Sequence, residues 1–458
     1  MILKMKDGLI QGTKEKNLYL FKGIRYATAK RFEAPVPYVI EGEYDATTFG
    51  KKALQVPYNS LEQSEDCLNL NVYTTGFDTL KPVLVMIHGG AFQTGSNQNR
   101  DPFDVIQDKD FVYVSINYRL GVLGYLYQEE YPTSGNNGTL DQIEALKWVH
   151  HYISYFGGDP EKVTVIGSSA GAKSIGALMN SEAVSYFQQA ILISGANQSV
   201  RDVKTAQVIH KQMKEIVGDV DLKTIPVEQL LAAQEKLCDG WASTCMFGPV
   251  GDGIVIDQDF YEKPCAFKGN VIIGSSYHEL DLLKNLDVDF ENHYESMITS
   301  LFGINSVYVN EDIEELSQSM PKVDAITKAI SDNMYRTYTY RFAKKLKEQG
   351  NIVYLYSTKF LPAYHCSDDT LAFASNEHKQ EAFPTHKERA LSLGKTIFDN
   401  YLHFVMHGCP SNPEWKSLNQ QSCQMVWDEE CTIEDVDTQY CDRIPRQVFK
   451  LEDVSCEN

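Results

Sequence analysis

Although ten cysteines are present, none of them forms a Cys-x-x-Cys pair. This excludes a zinc ribbon and a thioredoxin-type centre. No group of His, Cys, Asp or Glu has metal-ligand spacing, so no metal ion and no organic cofactor is expected. There is no stretch of about 18 consecutive apolar residues, so no membrane-spanning helix is expected. The N-terminus, MILKMKDGLIQGTKEKN, lacks the long apolar core of a signal peptide. Low-complexity tracts, internal repeats, heptad runs and Pro- or Ser-rich linkers are missing too. Basic residues are scarce: 42 Lys and Arg stand against 62 Asp and Glu, a net charge of −20. So acidic a surface argues against nucleic acid and anionic membranes as partners. Without a secretion signal the cysteines are expected as reduced thiols and the protein as cytoplasmic. A disulfide within the stretch holding Cys409, Cys423, Cys431, Cys441 and Cys456 is the alternative.

What is present suffices for a large core: 43% apolar and 23% charged residues over 458 positions. LKMKDGLIQGT carries Asp7-Gly8 at its middle, a strong hairpin signal. LNLNVYT (68–74) alternates, as a half-buried strand does. Then the pattern changes. PVLVMIHGG, FVYVSINYR, KVTVIGSS, QAILISG, NVIIGSS and IVYLYST are short, nearly continuous apolar runs, suited to strands buried on both faces of a parallel sheet. TLDQIEALKWVHHYISYF (139–156) is the clearest of the helical patterns between them. Strands alternating with helices predict an α/β fold whose mostly parallel sheet is covered on both sides, with an antiparallel N-terminal extension. In such sheets active sites collect where the strands end.

Three strand ends carry chemistry. After KVTVIG, residues Gly167-Ser168-Ser169-Ala170-Gly171 fit G-x-S-x-G, in which the serine occupies a sharp strand-to-helix turn. The tetrapeptide Ile-Gly-Ser-Ser recurs at 273–276, where NVIIGSSYHE ends in Glu279 and has His278 instead of the closing glycine. That copy offers a carboxylate; a helix-capping role is the plainer reading of Glu279. After PVLVMI, His88-Gly89-Gly90-Ala91 resembles the glycine-rich oxyanion loop of esterases, with an ordinary glycine turn as the alternative. Of the eleven histidines, His150, His151 and His210 fall in helical patterns. His365, after the strand IVYLYST, lies beyond Glu279. The order Ser, acid, His is that of α/β-hydrolases. Spacings of 110 and 86 residues leave room for intervening helices.

The order of blocks resembles the type-B carboxylesterase family, which includes cholinesterases and bacterial p-nitrobenzyl-type esterases. FKGIRYATAKRF (21–32), SEDCLNLNVY (64–73), HGGAF (88–92), NYRLGVLGYL (117–126), GNNGTLDQIEALKWV (135–149), FGGDPEKVTVIGSSAG (156–171), IIGSSYHE (272–279) and AYHCSDD (363–369) carry the match. The resemblance spans about residue 8 to about residue 430. It implies an α/β-hydrolase fold and a serine esterase needing no cofactor. Ser169 would be the nucleophile, Glu279 the acid and His365 the base, with the N–H groups of Gly90, Ala91 and Ala170 as oxyanion donors. Ser168 stands where the family often has glutamate, and Asp368 matches an acidic residue in many members; both are candidates for tuning the site. A solvated surface aspartate is the alternative for Asp368. Leu280 replaces a usual glycine. Cys67 has no upstream cysteine to pair with. KKALQVPYNSLEQ lacks the tryptophan with which cholinesterases bind choline.

The expectation is one domain over 1–458, with helical insertions at roughly 198–250 and 282–345 forming a reduced lid. The expected substrate is a small uncharged carboxylic ester, and the expected assembly a monomer or small homo-oligomer. A catalytically silent binding module on the same fold, and an amidase or transacylase with the same triad, are the rival readings.

Overall fold

Branched and aromatic side chains suit a pleated surface that is buried on both sides. The six apolar runs all become strands. The computed structural model describes residues 1–99, 103–285, 290–436 and 445–451. In chain order the main-sheet strands are β1 (Thr13–Glu15), β2 (Leu18–Arg25), β3 (Asn69–Thr74), β4 (Lys81–Ile87), β5 (Val112–Ile116) and β6 (Gly158–Ser168). They continue with β7 (Gln189–Ile193), β8 (Asn270–Ser276), β9 (Ile352–Thr358), β10 (Cys423–Trp427) and β11 (Thr432–Asp435). Their spatial order is β11-β10-β9-β8-β7-β6-β4-β5-β3-β2-β1. The strands from β10 across to β5 run parallel. The flanking strands at either side pair antiparallel. This is the α/β-hydrolase architecture.

Successive side chains on a strand face opposite ways. In β4, Val83, Val85 and Ile87 enter one core, and Leu84 and Met86 enter the other. The first core packs against the helices Asn137–Tyr152 and Ala170–Leu178. The second packs against the helix Lys387–His407, through Leu393, Ile397, Tyr401 and Phe404. The sheet is therefore buried twice, which is why its central strands read as unbroken apolar runs.

Three features differ from the sequence pattern. The Asp7-Gly8 hairpin forms, with Ile2–Lys4 against Gly8–Gln11, but it joins Gly42–Asp45 in a separate three-stranded sheet. The expected half-buried strand at 68–74 is instead buried throughout β3. Its polar positions face a hydrogen-bonded interior rather than water. Asn71 Nδ2 donates to Asn97 O and Ser115 Oγ, each at 3.2 Å, and Asn97 Nδ2 donates to Asn69 Oδ1 at 3.0 Å. Buried amides persist where such partners satisfy them. The seventh parallel strand, β10, was not legible because CQMVW is short and interrupted by Gln424.

The helical pattern at 139–156 appears as the helix Asn137–Tyr152 followed by a 3-10 turn, Ile153–Phe156. Its buried Asp141 holds Arg119 at 2.7 and 2.8 Å, and Arg119 also donates to Glu33 O at 2.7 Å. Residues 198–250 include the helices Val203–Val217 and Val227–Leu237. Residues 282–345 include Phe290–Phe302, Ser306–Leu316 and Lys322–Ser331. Among the described residues no helix is long and apolar enough to cross a membrane. Among the described residues, Cys67, Cys409, Cys423 and Cys431 form no disulfide. Cys441 and Cys456 lie outside the described residues.

Candidate active site

Parallel register brings three strand ends level. Ser168 of β6 is opposite Ile193 of β7, Ile193 is opposite Gly274 of β8, and Ser276 of β8 is opposite Thr358 of β9. Residues 169, 279 and 365 leave this common edge.

Ser169 has φ 54° and ψ −120°, a strained conformation for a residue with a side chain. The helix Ala170–Leu178 starts at the next residue. Two glycines make the turn possible. A Cβ on Gly171 would stand 2.1 Å from Ile87 O, and one on Gly167 would stand 2.5 Å from the Gly171 carbonyl carbon. Ser169 N donates to Ile193 O at 2.9 Å, which ties the turn to the neighbouring strand.

The second copy of the tetrapeptide works through its backbone. Ser276 N donates to Glu279 Oε1 at 2.8 Å. Glu279 is fully buried, and its other oxygen, Oε2, lies 2.5 Å from His365 Nδ1. His365 Nε2 lies 2.8 Å from Ser169 Oγ. An ionised carboxylate only accepts, so in the neutral imidazole Nδ1–H donates to Glu279 and Nε2 accepts from the serine hydroxyl. His365 N also donates to Glu279 O at 3.0 Å, fixing one backbone against the other. The structure thus joins Ser169, His365 and Glu279 in one hydrogen-bonded line. Glu279 is no helix cap.

The loop after β4 lies against the elbow. A Cβ on Gly89 would stand 2.6 Å from Ser168 O and 3.2 Å from Ser169 Cβ. Gly90, Ala91 and Phe92 all have positive φ, of 114°, 54° and 60°. Among the described residues, the N–H groups of Gly90, Ala91 and Ala170 donate to no backbone carbonyl. His88 is a prop for this loop. Its ring stacks on Tyr118 at 4.5 Å, and Tyr118 OH donates to His88 O at 2.8 Å. Burial lowers the His88 pKa to about 4, so the ring is neutral near pH 7.

Asp368 is buried, which removes the surface reading. Tyr356 OH donates to its Oδ2 at 2.5 Å. Burial pushes its pKa up to about 7, with Glu279 and Asp369 adding to the rise and the Tyr356 hydrogen bond opposing it. Tyr401 packs beside Tyr356 in the same cluster. A raised carboxyl pKa has a definite sign in stability. Between about pH 4 and about pH 7 the unfolded chain has lost this proton and the folded chain keeps it. Unfolding releases a proton there, so this group makes stability fall as pH rises through that window. Asp368→Asn is expected to remove its share of the fall. Urea midpoints of both proteins from pH 4 to pH 8 check this; parallel profiles would contradict it.

A cavity of about 720 Å³ opens over Ser169 and His365, with Ser168, Trp241, Leu283 and Met334 among its walls. That volume is in the range of small-molecule sites. Sequence reasoning missed three contributors: the Ser276 N–H, Tyr335, whose ring centroid lies 4.5 Å from that of His365, and Lys173. Only Lys173 had a readable signal, its place four residues after Ser169 at a helix start.

The fold and this arrangement are those of the α/β-hydrolase fold class. The model of the carboxylesterase family matches residues 1–440, and the chain belongs to that family. It is 38% identical over 258 residues to the para-nitrobenzyl esterase of Bacillus subtilis, which covers 52% of this chain and 53% of that protein. The matched part is therefore about half the length of that relative. Identity to carboxylesterase 3B of Mus musculus is 27% over 472 residues, covering 89% of this chain and 82% of that protein. The crystal structure of Geobacillus stearothermophilus carboxylesterase EST55 superposes with a TM-score of 0.83 at 28% identity, covering 95% of this chain and 97% of that one.

Proposed function

We propose that this chain hydrolyses small carboxylic esters, uncharged ones included, through an acyl-enzyme on Ser169. His365 takes the hydroxyl proton as Ser169 Oγ attacks the ester carbonyl. Glu279 holds the imidazole in the right tautomer and stabilises the imidazolium. The N–H groups of Gly90, Ala91 and Ala170 receive the oxyanion; a lost donor costs about 3 kcal/mol in related chemistry. His365 then protonates the leaving alcohol, and water repeats the sequence on the acyl-enzyme. The observation that carries this reading is the unbroken line of hydrogen bonds from Ser169 Oγ through His365 to Glu279. Ser168 and Asp368 tune the site in this reading, one from the cavity wall and one through its charge interaction with Glu279. A cytoplasmic location is supported by Cys67, which is buried and unpaired.

The test is release of p-nitrophenol from a series of p-nitrophenyl esters of increasing acyl length at neutral to mildly alkaline pH. Short members are expected to turn over. Failure of every short-chain ester would remove the reading.

A further inference from the structure

Lys173 follows Ser169 by one helical turn, and its N–H donates to Ser169 O at 2.9 Å. Side chains on a helix lean toward its N-terminus, so a residue four places on reaches back over the first turn. Lys173 accordingly lines the same cavity as Ser169 and His365. Its stem packs beside Gly195, where a Cβ would meet Lys173 Cγ at 3.2 Å. Its ammonium lies 5.0 Å from the centre of the Tyr335 ring, the ring that flanks His365.

No carboxylate of the chain pairs with this ammonium among the described residues. Glu279 is already taken by Ser276 N and His365. Asp369 also lines the cavity. Lys173 is half-buried, and burial lowers its pKa from the ordinary value, with Cys245, Cys366 and Glu279 opposing the shift and Arg201 adding to it. A second cation backs it. Lys173 and the buried Arg201 line an adjoining cavity of about 20 Å³, and Arg201 donates to Phe247 O at 2.7 Å. A charge withdrawn from water is costly unless an opposite charge meets it. This end of the cavity is therefore suited to an anion.

We propose that Lys173 forms a carboxylate-recognition subsite, so that esters bearing a free carboxylate, such as half-esters of dicarboxylic acids, are preferred over their neutral counterparts. The substrate carboxylate meets the ammonium while the ester carbonyl lies at Ser169. This rests on the proposed ester hydrolysis and names its substrate class. It goes beyond the sequence pattern, whose matched block stops at Gly171.

The experiment compares the mono-p-nitrophenyl ester of adipic acid with its methyl-capped diester. Release of p-nitrophenol reports the same bond in both, and the two differ by the charge and one methyl group. The ratio of kcat/KM, half-ester over capped ester, is expected to exceed one in the wild type. In Lys173→Met it is expected to fall by roughly ten- to a hundredfold, the range of a charge-assisted contact, mainly through KM of the half-ester. Lys173→Arg is expected to keep the preference. Lys173→Gln serves if the methionine variant does not fold. A wild-type ratio below one, or a ratio that Lys173→Met leaves unchanged, would overturn the proposal. Equal losses on both esters would do so too, because they would assign Lys173 to the common transition state. If the wild type hydrolyses short-chain p-nitrophenyl esters but neither of these two, the proposal is overturned; if it hydrolyses none of them, the hydrolytic reading itself fails, and this inference with it.

Discussion

Ser169→Ala is expected to lose turnover by a factor on the order of 10⁴ or more, as in other serine triads, while Ser276→Ala keeps much of its rate. Both serines sit in an Ile-Gly-Ser-Ser tetrapeptide after a buried strand, but their atoms have different duties. Ser169 Oγ is 2.8 Å from His365 Nε2. Among the described residues, Ser276 Oγ is buried with no hydrogen-bond partner. What Ser276 supplies is its backbone N–H to Glu279, and alanine retains that group. Single-turnover kinetics on a short p-nitrophenyl ester, with circular dichroism to establish folding, separate the two. A folded Ser276→Ala as inactive as Ser169→Ala would show that the roles of the two copies are wrongly assigned.

Glu279→Gln is expected to cost a factor on the order of 10⁴ in kcat, the scale of the equivalent amide substitution in another serine hydrolase. The reason lies in the two hydrogen bonds the carboxylate accepts, from Ser276 N at 2.8 Å and His365 Nδ1 at 2.5 Å. Glutamine can accept at only one of these positions and must present N–H at the other. Facing Ser276 N–H, its amide sets donor against donor in a buried site, an arrangement that costs about 1–3 kcal/mol. Facing His365, it selects the tautomer protonated on Nε2, which cannot take the serine proton. Either way the imidazolium loses its counter-charge. A folded Glu279→Gln within tenfold of the wild type would contradict the role given to this residue.

The parallel core was legible because β4 to β9 are buried on both faces, so apolar composition alone marks them. Where burial is achieved with polar groups the pattern misleads. The alternation in β3 looked like a solvent-facing side and is an asparagine network instead. The elbow at Ser169 was legible because backbone crowding at Gly167 and Gly171 leaves its trace in the sequence. Asp368 could be seen but not placed, since an aspartate beside a strand end reads alike whether solvated or held by Tyr356. Tyr335 was invisible. It comes from residues 332–336, a turn of π-helix far from any strand end, and only tertiary packing sets it against His365.

The central claim is that one serine of this chain, Ser169, is the nucleophile. A serine-directed organophosphate should add one phosphoryl group per chain, and peptide mapping by mass spectrometry should place it on Ser169. Ser169→Ala should carry no adduct. Absence of labelling on the folded wild-type protein, or an adduct on Ser168 or Ser276 in its stead, would contradict the account.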